Sequence, residues 1–290
     1  MTTIANSIKK TIAVTCAGII ALTACACGSS SSQSGPAAHI ATPTADHTVQ
    51  VSVGVCPGPY GDMVKDVIAP LLKDDGYDLT VKEFNDYVQP DKALASGSID
   101  ANLMQHINYL TKFRADNNLD IASVGQVPTL GLAAYSKKYD SIDAIPNGAT
   151  VAVANDGSNL ARTLGVLQQN KLVTLKDGVD STKASVSDIA SNPKQLNIKT
   201  LDAAQLARSL DTVDVALVPG NYAWAAGFDP ADALATEQQS EGVINVFAVR
   251  GGDVDSDFGQ KVRELLNSDE FKKAIADSDF KDFGKPTTWA

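Results

Sequence analysis

The feature that most constrains the fold is an alternation of two hydrophobic periods along the chain. "TVQVSVGVC" starts at Thr48 and alternates apolar and polar residues with the period of two that marks a half-buried strand. After the turn "PGPYGD", the pattern "MVKDVIAPLLKDDG" takes a helical period and stops at Gly76. "LTVKEF" and "PDKALASGS" then predict a strand and a short helix, followed by the strand "DANLM", the helix "QHINYLTKFRADNN" and the strand "IASVGQV". Strands that alternate with helices pair in parallel, because parallel neighbours need crossover connections. A second series contains the strand "GLAAY", a Lys-rich turn and short helix, the strand "TVAVA", the helix "NLARTLGVLQQNKL" and the strand in "VDVALVPGNYAWAAG". "GVINVFAVRGG" and two amphipathic helical patterns, "DFGQKVRELLNSD" and "EFKKAIADSDF", complete the chain. Two such groups predict two α/β lobes, with crossings near Ala133 to Ser136 and near Asn245 to Arg250. A ligand cleft is expected between them.

The ends of the chain bear on its location. Lys9 and Lys10 precede the apolar run "TIAVTCAGIIALTA", which has the length of an export signal and is too short to span a bilayer comfortably. Its end, Leu22-Thr23-Ala24-Cys25, resembles the bacterial lipobox, which makes Cys25 the expected lipidated residue. "GSSSSQSGPAAHIATPTADH" has the composition of a flexible tether, so the sequence divides into a signal peptide (1–24), a lipidated tether (25–47) and a folded part of roughly 240 residues. Removing the signal takes two lysines and no acid, and moves the formal charge from −10 to −12. That acidity argues against a nucleic-acid partner. Cys16 lies in the signal, and Cys27 and Cys56 give no disulfide framework.

Four clusters follow predicted strands: "FNDYVQP", "NLMQHINYL", "NDGSNLAR" and "PGNYAW". In open α/β sheets ligands collect beyond the carboxyl ends of strands, so all four are candidates to line one cleft. His106 is the only histidine of the expected folded part, which excludes a histidine-rich metal site, and no G-x-S-x-G elbow supports a hydrolase. "NDGSNLAR" lacks the Gly-Lys-Ser/Thr of a nucleotide loop. Asp156 or Ser158 is a helix cap, but capping leaves Arg162 unexplained, because a cation near a helix start opposes the macrodipole. Asn159 and Arg162 share a helical face and can converge on one anion, either a ligand carboxylate or an acid of the protein. Tyr87 and Tyr109 are either core aromatics or walls of the cleft, and Asn221 either serves its turn or accepts a bond from an ammonium group.

Assembled, these motifs resemble the NlpA lipoprotein family, the methionine-binding receptors of bacterial ABC importers. The resemblance runs from "VSVGVCPGPYGDMVKDV" to the final "KPTTW" and is most specific in "EFNDYVQPDKALASGSIDANLMQHINYL", "YSKKYDSIDAIPNGATVAVANDGSNLAR" and "LVPGNYAWAAG". It implies an α/β, two-lobed, periplasmic-binding-protein-like (Venus flytrap) fold with a mixed sheet in each lobe and two hinge crossings. Lobe 1 would comprise 48–133 and 247–290, and lobe 2 134–246. The resemblance further implies that Arg162 holds the ligand carboxylate, that Asn159 and Asn221 hold its polar head, and that Tyr87, His106 and Tyr109 line the other side. Met104 stands where the family commonly has Phe, which leaves open another apolar amino acid or a methionine-containing dipeptide. The implied protein is a monomeric, non-enzymatic receptor without cofactor or metal. It is held on the extracytoplasmic side of the membrane by its lipid and partners an ABC permease with its ATPase. A surface-attached hydrolase and an adhesin-like lipoprotein are the alternatives of another class.

Overall fold

A computed structural model describes residues 39–289; the expected signal, Cys25, Cys27 and the first part of the tether lie outside the described residues. The chain starts with β1 (Val49–Val55) and a helix that runs from α1 (Tyr60–Asp62) through a π-wound stretch, Met63–Ile68, into α2 (Ala69–Lys73). There follow β2 (Tyr77–Glu83), α3 (Val88–Ala95), β3 (Ala101–His106), α4 (Ile107–Asn117) and β4 (Ile121–Gln126). The next group holds β5 (Ala133–Tyr135), β6 (Thr150–Ala154), α5 (Gly157–Gln169), the pair β7 (Thr174–Leu175) and β8 (Ile189–Ser191), and β9 (Asn197–Leu201). It continues with α6 (Leu206–Ser209), β10 (Val215–Val218), α7 (Gly220–Ala225) and β11 (Ala235–Thr236), before β12 (Asn245–Arg250), α8 (Asp257–Asn267) and α9 (Asp269–Ala276).

These strands form two five-stranded mixed sheets, ordered β2-β1-β3-β12-β4 and β11-β5-β10-β6-β9. In the first, β1 is parallel to β2 and β3, while β12 returns antiparallel between β3 and β4. In the second, β6 is parallel to β9 and β10, and β5 is antiparallel to β10 and β11. The chain therefore leaves the first sheet between Gln126 and Ala133 and returns between Thr236 and Asn245. The segments expected as crossings, Ala133 to Ser136 and Asn245 to Arg250, largely form β5 and β12 instead, and the links run just before them. Their apolar content explains the shift, since "AAY" and "NVFAVR" are buried throughout.

Both faces of each sheet are covered, as parallel strands require. On one face of the first sheet Val53, Leu103, Phe247 and Val249 meet helical Met63, Leu72, Phe258 and Phe271. On the other face Val246 and Ala248 meet Leu94, Leu110 and Ile121. The alternation along β12 is the period of two that sends successive side chains to opposite faces. The second sheet divides likewise, with Val151, Val153 and Leu217 facing Leu164 and Leu167, and Ala152, Ala216 and Val218 facing Leu206.

The folded part begins earlier than Thr48, which corrects the expected extent of the tether. The carboxylate of Asp253, fully buried, accepts the backbone amides of His39 at 2.6 Å and Ile40 at 2.9 Å. Its other oxygen lies 3.1 Å from Nε of the buried Arg250. Ile40 joins the core of the first lobe, and Thr44 and His47 form a small antiparallel bridge. The clue in the sequence was a single aliphatic residue among small and polar ones. Asp253→Ala should remove the nearer of the two carboxylates beside Arg250, leaving Asp100 at 3.5 Å, and release the segment from His39. Urea unfolding is expected to show a loss of about 3–5 kcal/mol. Hydrogen exchange at the Ile40 amide should accelerate.

Candidate functional site

The carboxyl ends of β3, β6 and β10 deliver their following helices to one place between the two sheets, where a narrow pocket is formed. All seven residues expected at a ligand site line it: Tyr87, Met104, His106 and Tyr109 from the first lobe, and Asn159, Arg162 and Asn221 from the second. Tyr60, Gln105, Thr129, Leu130 and Asn245 also reach the cavity.

Each polar side chain is placed by a local requirement of the chain. His106 ends β3 in extended conformation and caps α4, its Nδ1 accepting from the Tyr109 amide at 3.2 Å. That nitrogen is thereby an acceptor, so the neutral ring carries its proton on Nε2 and donates to Asn159 Oδ1 across the cleft at 3.2 Å. Burial, followed by the positive charge of Arg162, pushes the His106 pKa from 6.5 down to about 3. Asp156 caps α5, accepting from the Asn159 amide at 2.8 Å and from Asn159 Nδ2 at 3.1 Å.

Arg162 lies in the second turn of α5, beyond the strongest part of the macrodipole. Its Nε donates to Glu237 Oε2 at 2.5 Å and its Nη2 to Glu237 Oε1. Side-chain exposures of 9 % and 4 % make this a buried, bidentate ion pair. Along this edge the anion that Arg162 lacked in the local sequence is thus an acid of the protein, one of the two alternatives the sequence left open. Nη1, whose one partner among the described residues is Asn159 Oδ1 at 3.4 Å, is the least committed corner of the guanidinium.

Two further contacts cross the cleft at the other end. The Tyr87 hydroxyl donates to Asn221 Oδ1 at 2.6 Å, and Asn221 Nδ2 donates to the Pro57 carbonyl at 2.9 Å. The approach needs glycine at position 58, where φ is +134° and an added Cβ would lie 2.6 Å from the Asn221 carbonyl oxygen. Tyr87 packs edge-on against Tyr109 at 5.6 Å and tilted against Tyr222 at 5.1 Å, while Tyr109 stacks on Phe113 at 5.5 Å. Burial raises the pKa of all three tyrosines and keeps them protonated. Met104, which replaces the expected ring, is buried in this wall.

Behind the cavity, the fully buried Asp91 accepts from Asn102 at 2.8 Å and Gln105 at 2.5 Å. Burial outweighs those two bonds and lifts its pKa to about 7. Sequence reasoning missed Asp91, Gln105, Thr129, Tyr222, Glu237 and Asn245. Glu237 had no motif around it; its partner is 75 positions away, and only the fold joins them. Cys56 is buried with its Sγ 3.2 Å from the Asp86 carbonyl, and burial pushes its thiol pKa up, which disfavours the thiolate a nucleophile needs. Among the described residues no group of three His, Cys, Asp or Glu side chains is placed to hold a metal ion.

Two mixed α/β lobes with a cavity between them, lined from both sides and sealed by hydrogen bonds across the cleft, define the two-lobed substrate-binding class. A family model described as NlpA lipoprotein matches residues 51–288, and the chain belongs to that family. It is 39 % identical over 228 residues to the D-methionine-binding lipoprotein MetQ of Escherichia coli K12, covering 77 % of this chain and 83 % of that one. Its fold matches a nutrient-binding protein from Burkholderia cenocepacia solved bound to methionine, with TM-score 0.75, 40 % identity and coverage of 80 % and 97 % of the two chains. A crystal structure of the methionine-binding protein MetQ matches with TM-score 0.73, 37 % identity and coverage of 79 % and 94 %.

The His106 environment has a signed pH consequence. With a folded pKa of about 3 against 6.5, the unfolded chain binds the extra proton across that window, so the neutral ring's contribution is present above 6.5 and lost as pH falls. Asp91 acts oppositely, because its raised pKa gives a contribution that is full below 3.8 and lost as pH rises through about 7. Denaturant unfolding from pH 3 to 8 should show that His106→Gln loses the part of the wild-type rise between about 3 and 6.5. Asp91→Asn should remove the opposing decline between 3.8 and about 7.

Proposed function

We propose that this protein captures one amino acid, methionine, between its lobes and delivers it to an ABC permease without altering it. The pocket between the lobes, lined from both sides, with Arg162 at one end and aromatic rings along its wall, is the observation that carries this reading. Methionine, named for the relatives above, is a zwitterion with an unbranched apolar arm, and each part needs its own partners once water is excluded. Arg162 Nη1 and the Asn159 amide receive the carboxylate. Asn221 Oδ1 accepts from the ammonium in place of the Tyr87 hydroxyl. Tyr87, Tyr109 and Met104 enclose the thioether, whose contacts with aromatic rings contribute about 0.3–1.5 kcal/mol each. His106, held neutral, completes the wall without adding charge.

Lipidation at Cys25 would hold the receptor on the extracytoplasmic face beside its permease, and a monomer suffices because both halves of the cavity come from one chain. Closure about the two crossings would separate a loaded form from an empty one. The alternatives of another apolar amino acid and of a methionine-containing dipeptide enter as competitors in the test.

Calorimetric titration of the purified protein with L- and D-methionine, and with a panel of apolar amino acids and dipeptides, tests the reading. Methionine should bind most tightly, and Arg162→Ala should weaken it by roughly 10- to 150-fold, the equivalent of one hydrogen bond to a charged group. Arg162→Lys retains a charge opposite Glu237 and should fold normally while binding more weakly. Asn221→Ala should cost about tenfold. A folded Arg162→Lys protein with wild-type affinity would remove Arg162 from the carboxylate contact, and a panel without binding would overturn the function.

A further inference from the structure

Glu237 occupies a position that neither the family motifs nor the carboxylate clamp explains. It lies in the second link between the lobes, after β11, yet its side chain reaches Arg162, the one formally charged residue among the described residues that line the ligand cavity. It is also tied to the first link. The Leu132 amide donates to Glu237 Oε1 at 2.9 Å, and the Glu237 amide donates to the Leu132 carbonyl at 3.0 Å. Around it the two links are laced together by Gln239 Nε2 to the Thr129 carbonyl at 3.1 Å and by the Asn245 amide to Thr129 Oγ1 at 2.7 Å. The carboxylate is therefore placed by the crossing strands themselves, and it fixes the guanidinium by the Nε and Nη2 edge.

The electrostatic result concerns which ligands the cavity can take. An unpaired buried Arg162 would attract any carboxylate and would be satisfied by a simple organic acid. Paired with Glu237, the guanidinium contributes no net charge, and the remaining lining is neutral, His106 included. A ligand bearing only a carboxylate would then bring an uncompensated negative charge into a closed site, whereas a zwitterion brings none. We infer that Glu237 is a specificity-determining, positioning residue: by neutralising Arg162 from the hinge side it restricts the site to net-neutral zwitterions and excludes carboxylic acids that lack the ammonium group. This rests on the carboxylate contact proposed above.

Methionine and 4-(methylthio)butanoate share chain length and thioether and differ by the amino group. Calorimetric titration of wild-type, Glu237→Gln and Glu237→Asp proteins with each compound separates the possibilities. The wild type should prefer methionine strongly. Glu237→Gln should narrow that preference at least tenfold, chiefly by gaining affinity for the acid, while Glu237→Asp, which keeps the charge, should hold the wild-type preference even if both ligands bind more weakly. Equal weakening of both ligands in Glu237→Gln, with the ratio unchanged, would overturn the inference and leave Glu237 a structural brace. A wild type that binds methionine and the acid alike would also overturn it, with methionine capture intact. A wild type that binds neither would overturn the functional reading and this inference with it.

Discussion

The buried pair of Arg162 and Glu237 is the interaction on which the site depends. Burying two opposite charges costs several kcal/mol per ion in lost hydration, and attraction recovers that cost only when geometry is good and the remaining hydrogen-bonding positions are filled. Here they are filled in an ordered way: two guanidinium nitrogens on the two carboxylate oxygens, the Leu132 amide on one of those oxygens, and Asn159 at the last nitrogen. The pair joins three parts of the chain that have no sequence proximity: α5, the link before β5 and the link after β11. Geometry at the ligand cavity and geometry at the crossings are consequently set by one cluster of atoms.

That cluster also organises its neighbours. Arg162 lies close enough to His106 to be the second cause of its lowered pKa, after burial. A neutral His106 is what permits its Nδ1 to cap α4 while its Nε2 donates to Asn159, since a protonated ring has no acceptor for the Tyr109 amide. Asn159 is in turn oriented by Asp156, the cap of α5. A line of hydrogen bonds thus runs from one helix start to the other across the cleft, and its direction is settled by which groups are charged.

How much of this was legible in the sequence follows from the kind of signal each part left. The alternating strands and helices were legible because both faces of each sheet are buried, which forces apolar residues into regular positions. β9 was not, since "NIKTL" is an edge strand with most side chains half-buried or exposed and so has no apolar run to detect. The seven cavity residues were legible because short motifs after strands fix them locally, and the cavity brings all seven together. Glu237 and Asn245 were not, because they belong to the returning segment, where no helix start or turn requires a particular residue. The misfit of Arg162 was legible and Glu237 was not: local sequence shows that a partner is needed, but only tertiary structure brings the acid of the returning link to it.

The docking of the segment before β1 has a consequence for reach. If Cys25 carries the lipid, the first contact of the described chain with the folded part falls at His39, where Asp253 takes the amide, and not at Thr48. About 14 residues at up to ~3.6 Å each span at most roughly 50 Å, against roughly 80 Å for a tether running to the strand. A buried carboxylate on the first lobe, remote from the ligand cavity, would then set the volume over which the receptor can search for its transporter.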